Sequence, residues 1–479
     1  MEKEEAAPLL AKFEETNDGM ASESSFFQEL RRVGSMAAPM VAVTVSHYLL
    51  QVVSLMMVGH TGKLSFSGVA IASSFAEVTG FSVLIGMAGA LETLGGQAYG
   101  AQEFRKLRNY TCCALITLIL VCFPISLLWI FMDKILMLCG QDPQISNAAH
   151  VYCTCLIPAL FGYAVLQTLV RYFQIQSMII PMVFSSVAAL CLHVPICWVM
   201  VFKLGLGHVG AALAIGVSYW LNVVGLGIYM KYSSACEKTR IVFSRNALLN
   251  SAEFLRFAVP SGLMFCFEWW SFELLTLLAG LLPNPHLESS VLSISLNTTT
   301  LHYFISYGVG AAVSTRVSSE LGAGNPKAAR AAIRAVMTLG IADAVFWSSV
   351  FFCCRNILGY AYSNDKEVVD YVADMVPLLC LSVSSDSLIG ILSGIARGGG
   401  FQQIGTYINL GAYYIVGAPI AVFLGFGLHL NAKGLWMGTL TGSLLQAIIL
   451  AAVTAFKDWQ KEATKARERI VDKAYNGLV

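Results

Sequence analysis

The chain has 479 residues, of which 56% are hydrophobic and only 12% are charged, and its mean hydropathy is +0.67. A soluble domain carries roughly 25% charged residues, so this composition excludes an ordinary soluble globular protein. The net charge of +1 gives no reason to expect nucleic acid as a partner. Apolar runs of about twenty residues follow one another with short polar breaks, as membrane-spanning helices require. The lipid bilayer is therefore the expected environment.

The spans are predicted in two groups of six, between two polar tails. Residues 1–26 are acidic and polar without an apolar stretch, so they predict a disordered tail rather than a signal peptide. The charges alternate in the C-terminal tail, residues 457–479, which predicts a solvated or interfacial helix. Residues 27–240 form an N-lobe and residues 241–456 a C-lobe. The predicted spans are 35–58, 67–95, 110–132, 149–170, 180–202 and 209–230 in the N-lobe, and 254–281, 290–315, 333–354, 368–395, 404–426 and 433–456 in the C-lobe.

Lysine and arginine indicate the orientation of these spans. An even number of spans puts both termini on one side of the membrane. Of the 30 lysines and arginines, 24 fall in the tails and even-numbered connections and 6 in the odd-numbered ones. Cytoplasmic connections carry such an excess, so both termini are expected in the cytoplasm. The pattern does not distinguish the plasma membrane from the vacuolar membrane.

The two lobes repeat one another at offsets of 221 to 224 residues. An even number of spans per repeat predicts two parallel lobes related by an axis along the membrane normal, an arrangement typical of secondary transporters. A proline inside a span bends its helix, and recurrence at matched positions makes Pro39 and Pro260 candidate hinges, with static kinks as the alternative. The matched pairs are Pro39 with Pro260, Gly59 with Gly280, Gly86 with Gly308, Gly100 with Gly322, Pro195 with Pro419 and Gly210 with Gly434.

A few acidic residues lie inside the spans, where a charge costs about 2.5–3.5 kcal/mol on insertion scales. Glu268 and Glu273 lie in span 7, Asp386 lies in a serine-rich stretch of span 10, and Asn297 lies in span 8. Glu268 and Asp386 have comparable depth, so they predict a pair that carries a proton or cation, with Asn297 as a neutral partner. The alternative is a carboxyl held neutral by local hydrogen bonds. Glu273 lies about 140° around the helix from Glu268 and predicts a different contact.

The remaining ionisable residues inside spans favour a structural interpretation. Asp343, Glu77 and His302 predict polar groups satisfied by their neighbours, and Glu92 also lies in span 2. Glu268 corresponds in the first repeat to His47, so the polar set is expected in the C-lobe alone. The sequence contains no metal-ligand spacing and no nucleotide-binding motif, so neither a cofactor nor direct use of ATP is expected.

Four stretches spread over both repeats carry a family resemblance. They are Ala90–Ala101, Glu268–Glu273, Arg316–Pro326 and Tyr413–Pro419. Through them, residues 27–460 resemble the multidrug and toxin extrusion (MATE) family, and specifically its plant detoxification branch. The resemblance implies two six-helix bundles in a V-shape, with alternating access and cation-driven export of organic compounds. It also implies H⁺ as the coupling ion in the plant branch, with Na⁺ less favoured.

The resemblance also implies roles for individual residues. The acidic pair of the family carries over to Glu268 and Asp386, and its span 8 asparagine carries over to Asn297. Bacterial members place an aspartate in span 1, where this sequence has Ser54. The resemblance therefore does not support a protonation site in the N-lobe, and the C-lobe pair is the candidate.

These observations together predict a monomeric, proton-coupled antiporter that exports amphipathic cationic or neutral compounds, either xenobiotics or secondary metabolites. Trp269, Tyr413 and Ser293 are expected to line its substrate cavity. An organic-anion exporter or a lipid flippase of related fold is the alternative, ranked lower because no span centre contains lysine or arginine. An intramembrane enzyme would need a His/Asp or metal cluster at one face of the membrane. A receptor or channel does not match a parallel repeat of twelve spans.

Overall fold

The computed structural model describes residues 6–241, 251–363 and 365–475, with side chains from residue 26 to residue 470. Ten helices in these residues are long and apolar enough to cross a bilayer, and one further span consists of two helices bent by 46°. The remaining predicted span, 290–315, lies in a helix of 38 residues. That helix contains asparagine, threonine and histidine side chains among its apolar residues. All twelve predicted spans are therefore helical.

The N-lobe spans fall on nine α-helices. Two π-helical turns (Glu77–Phe81 and Val199–Lys203) and a 3-10 turn (Ser234–Cys236) also occur in the described part of this lobe. The α-helices are α1 (Ala6–Gly59), α2 (Lys63–Ala76), α3 (Ser82–Gly100), α4 (Phe104–Ile130), α5 (Met132–Leu138), α6 (Pro143–Cys155), α7 (Ile157–Ile175), α8 (Ile179–Trp198) and α9 (Gly207–Tyr232).

Nine α-helices follow in the rest of the described chain: seven carry the C-lobe spans, a short one lies between two spans, and the last follows them. A 3-10 turn (Gly359–Ala361) and two π-helical segments (Leu410–Gly417 and Phe423–Gly427) interrupt the described part of the lobe. The α-helices are α10 (Ser251–Ala279), α11 (Pro285–Gly322), α12 (Pro326–Cys353), α13 (Arg355–Leu358), α14 (Lys366–Gly399), α15 (Gln402–Asn409), α16 (Ala418–Val422), α17 (Asn431–Phe456) and α18 (Trp459–Tyr475).

The N-terminal tail differs from its prediction. Helix α1 begins at Ala6, so residues 6–26 are helical rather than disordered, while residues 1–5 lie outside the described residues. Ala, Leu, Glu and Lys have high helix propensity and extend a helix that span 1 already nucleates. Helix α18 agrees with the predicted C-terminal helix. The boundary between the lobes adjoins residues 242–250, which the structure does not describe, and stays a prediction.

The apolar core of the C-lobe is divided in two along helix α14. Leu379 and Val383 belong to one buried cluster, and Ile391 and Ile395 belong to another. The serine-rich stretch around Asp386 lies between them and interrupts the apolar face of the helix. This division leaves room for a polar site at mid-height in the lobe.

The lobes meet through a reciprocal contact that reproduces the sequence repeat. A side chain at Gly100 would overlap the carbonyl of Ser319, and a side chain at Gly322 would overlap the carbonyl of Gln97. Both glycines and both carbonyls are related by the offset of 222 residues, so the contact is pseudo-symmetric. The parallel repeat is thereby confirmed. We call this region, around Gly100 and Gly322, the closed end of the interface.

The opposite end of the interface is open. Helix α3 packs against α10 and α11, but α2 makes its main helix contacts with α1, α6 and α9 of its own lobe. The cavity described below lies between the lobes on this side. We call this end of the interface the open end.

The predicted hinge prolines lie inside continuous helices. Helix α1 continues through Pro39 and α10 continues through Pro260. The hydroxyl of Thr406 donates a 2.7 Å hydrogen bond to the Pro260 carbonyl. Bending at these prolines stays a prediction.

Candidate functional site

A cavity of about 220 Å³ enters the C-lobe between helices α10, α11 and α14. Four of the predicted site residues, Trp269, Ser293, Asn297 and Asp386, line it. The remaining lining residues are Ser74, Phe272, Glu273, Thr276, Leu296, Thr299, Thr300 and Tyr303. The α11 residues of this set recur three or four positions apart, which places them on one face of the helix.

The two carboxyl groups of the predicted acidic pair have different environments. Asp386 is 7% exposed and lines the cavity, whereas Glu268 is 4% exposed and lies outside the lining. The two carboxyl groups are close enough to interact electrostatically. Gln446 donates a hydrogen bond of 3.4 Å to Glu268, and the Tyr303 hydroxyl interacts with the same carboxyl. Asp386 therefore faces the contents of the cavity, and Glu268 is covered by protein.

Tyr413 does not line this cavity, contrary to its prediction. It is 2% exposed and borders only a crevice of about 10 Å³. Its hydroxyl donates a 2.7 Å hydrogen bond to Gln446, which in turn donates to Glu268. The π-helical segment Leu410–Gly417 carries this tyrosine. Tyr413 thus contacts Glu268 through Gln446 and has no contact with the cavity.

A second part of the cavity, of about 180 Å³, extends into the N-lobe. It shares Ser74, Trp269, Glu273 and Thr300 with the first part, so the two parts form one continuous space. Its other lining residues are His47, Tyr48, Gln51, Ser73, Glu77, Ile85, Tyr163, Tyr219, Phe265 and Phe304. In the described part of the chain, neither cavity part has a lysine or arginine in its lining. The walls are aromatic and polar, with carboxylates as their charged groups.

Two glutamates that the sequence treated as secondary face this shared space. Glu77 was expected to be satisfied locally; it interacts with Gln51, but both residues line the cavity. A π-helical turn begins at Glu77, and such turns frequently occur at functional sites. Glu273 lines both parts and makes a different contact from Glu268, as its position around the helix predicts. Polar groups therefore lie on both lobes and not on the C-lobe alone.

The expectation of local satisfaction is correct for Asp343, and His302 has a partner at one of its two ring nitrogens. The His302 Nε2 atom lies 3.0 Å from the Asp343 carboxylate, and the Ser387 hydroxyl donates to the same carboxylate at 2.7 Å. All three belong to the C-lobe and lie outside the cavity lining. No set of three or more His, Cys, Asp or Glu side chains is grouped to hold a metal ion within the described ranges. The lack of a cofactor stays a prediction.

Two arginines that the sequence assigned to connections are buried in helices. Arg171 of α7 is 1% exposed and Arg397 of α14 is 6% exposed, and both pair with Glu92 of α3. Both arginines lie within a few residues of a predicted span end. There the sequence alone does not distinguish a connection from a buried last turn of the helix. Buried positive charge is present in this protein, although it lies outside the cavity lining.

Comparisons with known proteins agree with this architecture. The sequence profile of the MatE family matches residues 39–199 and 260–423, once in each lobe. Protein DETOXIFICATION 9 of Arabidopsis thaliana is 52% identical over 472 residues, covering 98% of both chains. The chain belongs to the MATE family, in its plant detoxification branch. Protein DETOXIFICATION 14 of the same plant is 52% identical over 450 residues, covering 94% of this chain and 93% of its own.

Solved structures of MATE transporters share the fold. The crystal structure of the eukaryotic MATE transporter AtDTX14 superposes with a TM-score of 0.90 at 52% identity, covering 93% of this chain and 100% of that one. A multidrug resistance MATE transporter in an outward-facing conformation superposes with a TM-score of 0.81 at 14% identity, covering 92% and 97%. That second likeness concerns the fold alone. The protein is therefore a multi-pass membrane transporter with twelve helices in two bundles.

This MATE protein has a neutral polar cluster around Ser54 in its N-lobe. Ser54 is fully buried, and its hydroxyl lies 3.0 Å from the His193 Nε2 atom. The other ring nitrogen of His193 lies 2.8 Å from the Ser218 hydroxyl. The serine thus has its partners inside the lobe and does not line the cavity.

Proposed function

We propose that this MATE protein exports amphipathic organic compounds, cationic or neutral, in exchange for H⁺. One observation carries the proposal: Asp386 lines a cavity between the lobes and interacts electrostatically with the covered carboxyl of Glu268. Carboxyl groups buried within a membrane are candidates for proton relays and substrate contacts. Asn297 and Trp269 complete the same wall, so proton and substrate would compete for one site.

Competition between protons and substrate for this site would couple the entry of protons to the export of substrate. With Asp386 and Glu268 ionised, the cavity attracts a cation and accommodates an apolar body against its aromatic side chains. Protonation of the pair removes that attraction and releases the substrate. Helix α10 carries Glu268 and Trp269, and a bend near Pro260 would change the shape of the cavity as the pair is protonated. A ligand shifts the conformation only by its difference in affinity for the two states.

The direction of transport follows from the proposed orientation. With both termini in the cytoplasm, the closed end faces the cytoplasm because α3 reaches that side at Gly100. The open end then faces the exterior or the vacuolar lumen, which are the acidic compartments, and the structure represents the state that releases substrate. We propose that one monomer performs the cycle, since its two lobes enclose the cavity between them.

The size and walls of the cavity fit small organic substrates. Its two parts together reach the lower end of the range of about 300–1,000 Å³ that drug-sized ligands occupy. Aromatic side chains from both lobes, such as Tyr163, Phe265 and Trp269, adapt to flat apolar bodies. The carboxylates of Glu77, Glu273 and Asp386 favour positive charge. A weakly selective cation exporter is the function that this chemistry supports best.

Proteoliposomes with an imposed pH gradient test the proposal. A gradient of one pH unit supplies about 1.4 kcal/mol per proton, enough for a roughly tenfold accumulation of a fluorescent cation. We expect accumulation that a protonophore abolishes and that does not require ATP. An Na⁺ gradient at uniform pH should not replace the proton gradient. Accumulation of anionic dyes alone, or dependence on ATP, would overturn the proposal.

A further inference from the structure

A buried ion network joins the two lobes at the closed end. Glu92 of α3 is fully buried. Its carboxylate lies 3.0 Å from the Nη1 atom of Arg171, which belongs to the same lobe, and 3.0 Å from the Nε atom of Arg397, which belongs to the other lobe. The three charged side chains thus form one group, in which Arg397 is the member that belongs to the C-lobe.

Neighbouring groups hold the arginines in this arrangement. Tyr307 of α11, in the C-lobe, accepts a hydrogen bond across the interface from Arg171, and its ring lies 5.6 Å from the guanidinium of Arg171 and 5.2 Å from that of Arg397. The Thr93 hydroxyl donates to the backbone carbonyl of Arg397. Arg397 is therefore contacted by the N-lobe through both its side chain and its backbone.

A second ion pair between the lobes repeats the same design. Glu29 of α1 accepts a hydrogen bond of 2.9 Å from Arg316 of α11. Arg316 also pairs at 2.8 Å with Glu320 of its own helix, as its four-residue spacing suits. In each pair at least one member keeps a partner in its own lobe: Arg171 for Glu92, and Glu320 for Arg316, while Glu29 also lies 3.8 Å from Arg32.

We propose that Glu92 and Arg397 form a reversible interlobe lock, and that Arg171 is the counter-charge that allows the lock to open. The inference rests on the proposed function, because alternating access requires the closed end to separate. On separation Arg397 leaves with the C-lobe and enters the water that fills the opening. Glu92 stays in the N-lobe with Arg171 beside it, so no buried charge is left without a partner. Arg171 and Arg397 are positioning residues in this scheme.

The scheme predicts opposite effects for the two arginines. Removing Arg397 deletes an attraction that exists only in the closed state, so the closed end should open more often. Removing Arg171 leaves Glu92 paired while the end is closed and unpaired when it is open. It also removes the interlobe hydrogen bond to Tyr307, but an unpaired buried charge costs more than a lost hydrogen bond, so opening should become rarer. A role in folding alone would loosen the region in both variants, because each removes one partner of a buried charge.

Hydrogen–deuterium exchange of the full chain in lipid nanodiscs measures this opening directly. The peptides of interest cover residues 92–104 and 314–327 at the closed end. Their exchange reports the population of the open form when closing is fast. For Arg397→Gln and Glu92→Gln we expect exchange to rise by about tenfold or more, a conservative figure for a lost buried pair. For Arg171→Gln we expect it to fall below the wild-type rate.

Two further variants keep the test decisive. Asp343→Asn removes a partly buried polar pair within the C-lobe, away from the closed end, and should leave exchange at residues 92–104 unchanged. Arg397→Lys keeps the charge and should give an intermediate rise, which keeps the test valid if Arg397→Gln does not fold.

Changes of the same sign in Arg171→Gln and Arg397→Gln, or no change in either, would overturn the lock. The measurement needs no substrate or proton gradient, so failure of proton-driven export in the wild type would overturn the proposed function alone.

Discussion

The substitution Asp386→Asn separates proton coupling from substrate binding, because asparagine imitates the protonated carboxyl in size and cannot release a proton. A unit charge about 4 Å away contributes about 4 kcal/mol at the effective dielectric constant of a partly exposed site. Asp386 borders a cavity that is open to water, so solvent reduces this to roughly 1–2 kcal/mol. We therefore expect the apparent KM for a cationic dye to rise about five- to thirtyfold. The KM for a neutral dye of similar size should change little.

In Asp386→Asn the loss of proton coupling should be a larger effect than the rise in KM. With one pH unit across the membrane, the wild type should accumulate a monovalent cation roughly tenfold, whereas a carrier that cannot exchange a proton only equilibrates it. The accumulation ratio of Asp386→Asn should therefore approach one. Glu268→Gln should fail in the same way, and the double variant should be no worse than the poorer single one, since coupled groups titrate as a pair. The assay is gradient-driven uptake at matched protein content.

Two control variants make this result interpretable. Asp343→Asn removes a C-lobe carboxylate outside the cavity lining and should keep coupled transport. Glu273→Gln should do less harm than either member of the acidic pair, because Glu273 does not contact Glu268. Full coupled accumulation in Asp386→Asn would refute the reasoning for that residue. Full coupling in both Asp386→Asn and Glu268→Gln would direct the search to Glu77 and Glu273 in the shared part of the cavity.

The structure supports three further predictions. Tyr413→Phe removes the hydrogen bond to Gln446, which is worth about 1 kcal/mol. It should slow coupled uptake several-fold without changing the KM. An altered KM would contradict the position of Tyr413 outside the cavity. Gly100→Leu and, by the repeat, Gly322→Leu place side chains into the opposite backbone, so both should abolish transport in protein that still reaches the membrane, whereas normal uptake would show that the closed end is not required. The orientation is tested in a background without native cysteines. Asn284→Cys should react with an impermeant thiol reagent applied to intact cells or to the lumenal face of the vacuolar membrane, and Lys461→Cys should not. The reverse pattern would invert the proposed orientation.

The sequence contained enough information for most of the site because membranes make polar residues conspicuous. Asp386, Asn297, Ser293 and Trp269 stand in apolar helices, and all four line the cavity. Depth within a span follows from counting residues along a helix with a fixed rise. The cost of burying a charge in lipid then indicates that the side chain faces protein or water.

The wrong predictions concern the direction in which a side chain points and its partners on other helices. Tyr413 was expected in the cavity, but the π-helical segment Leu410–Gly417 carries it into a buried contact with Gln446 instead. A π-helical segment changes the angle between successive side chains, and no local pattern in the sequence predicts it. Gln446 itself gave no signal, since a single glutamine in an apolar helix is ordinary.

By itself, the sequence determined the membrane environment, the twelve helices, the parallel repeat and the depth of each acidic residue, because hydrophobic length and helical rise are local properties. Only the tertiary structure decided which carboxyl faces the cavity and which one is covered, and that Arg171 and Arg397 converge on Glu92 from different lobes. These residues are 79 or more positions from Glu92 in the chain. Their meeting depends on how helices pack and rotate against one another, which a pattern along one helix does not specify.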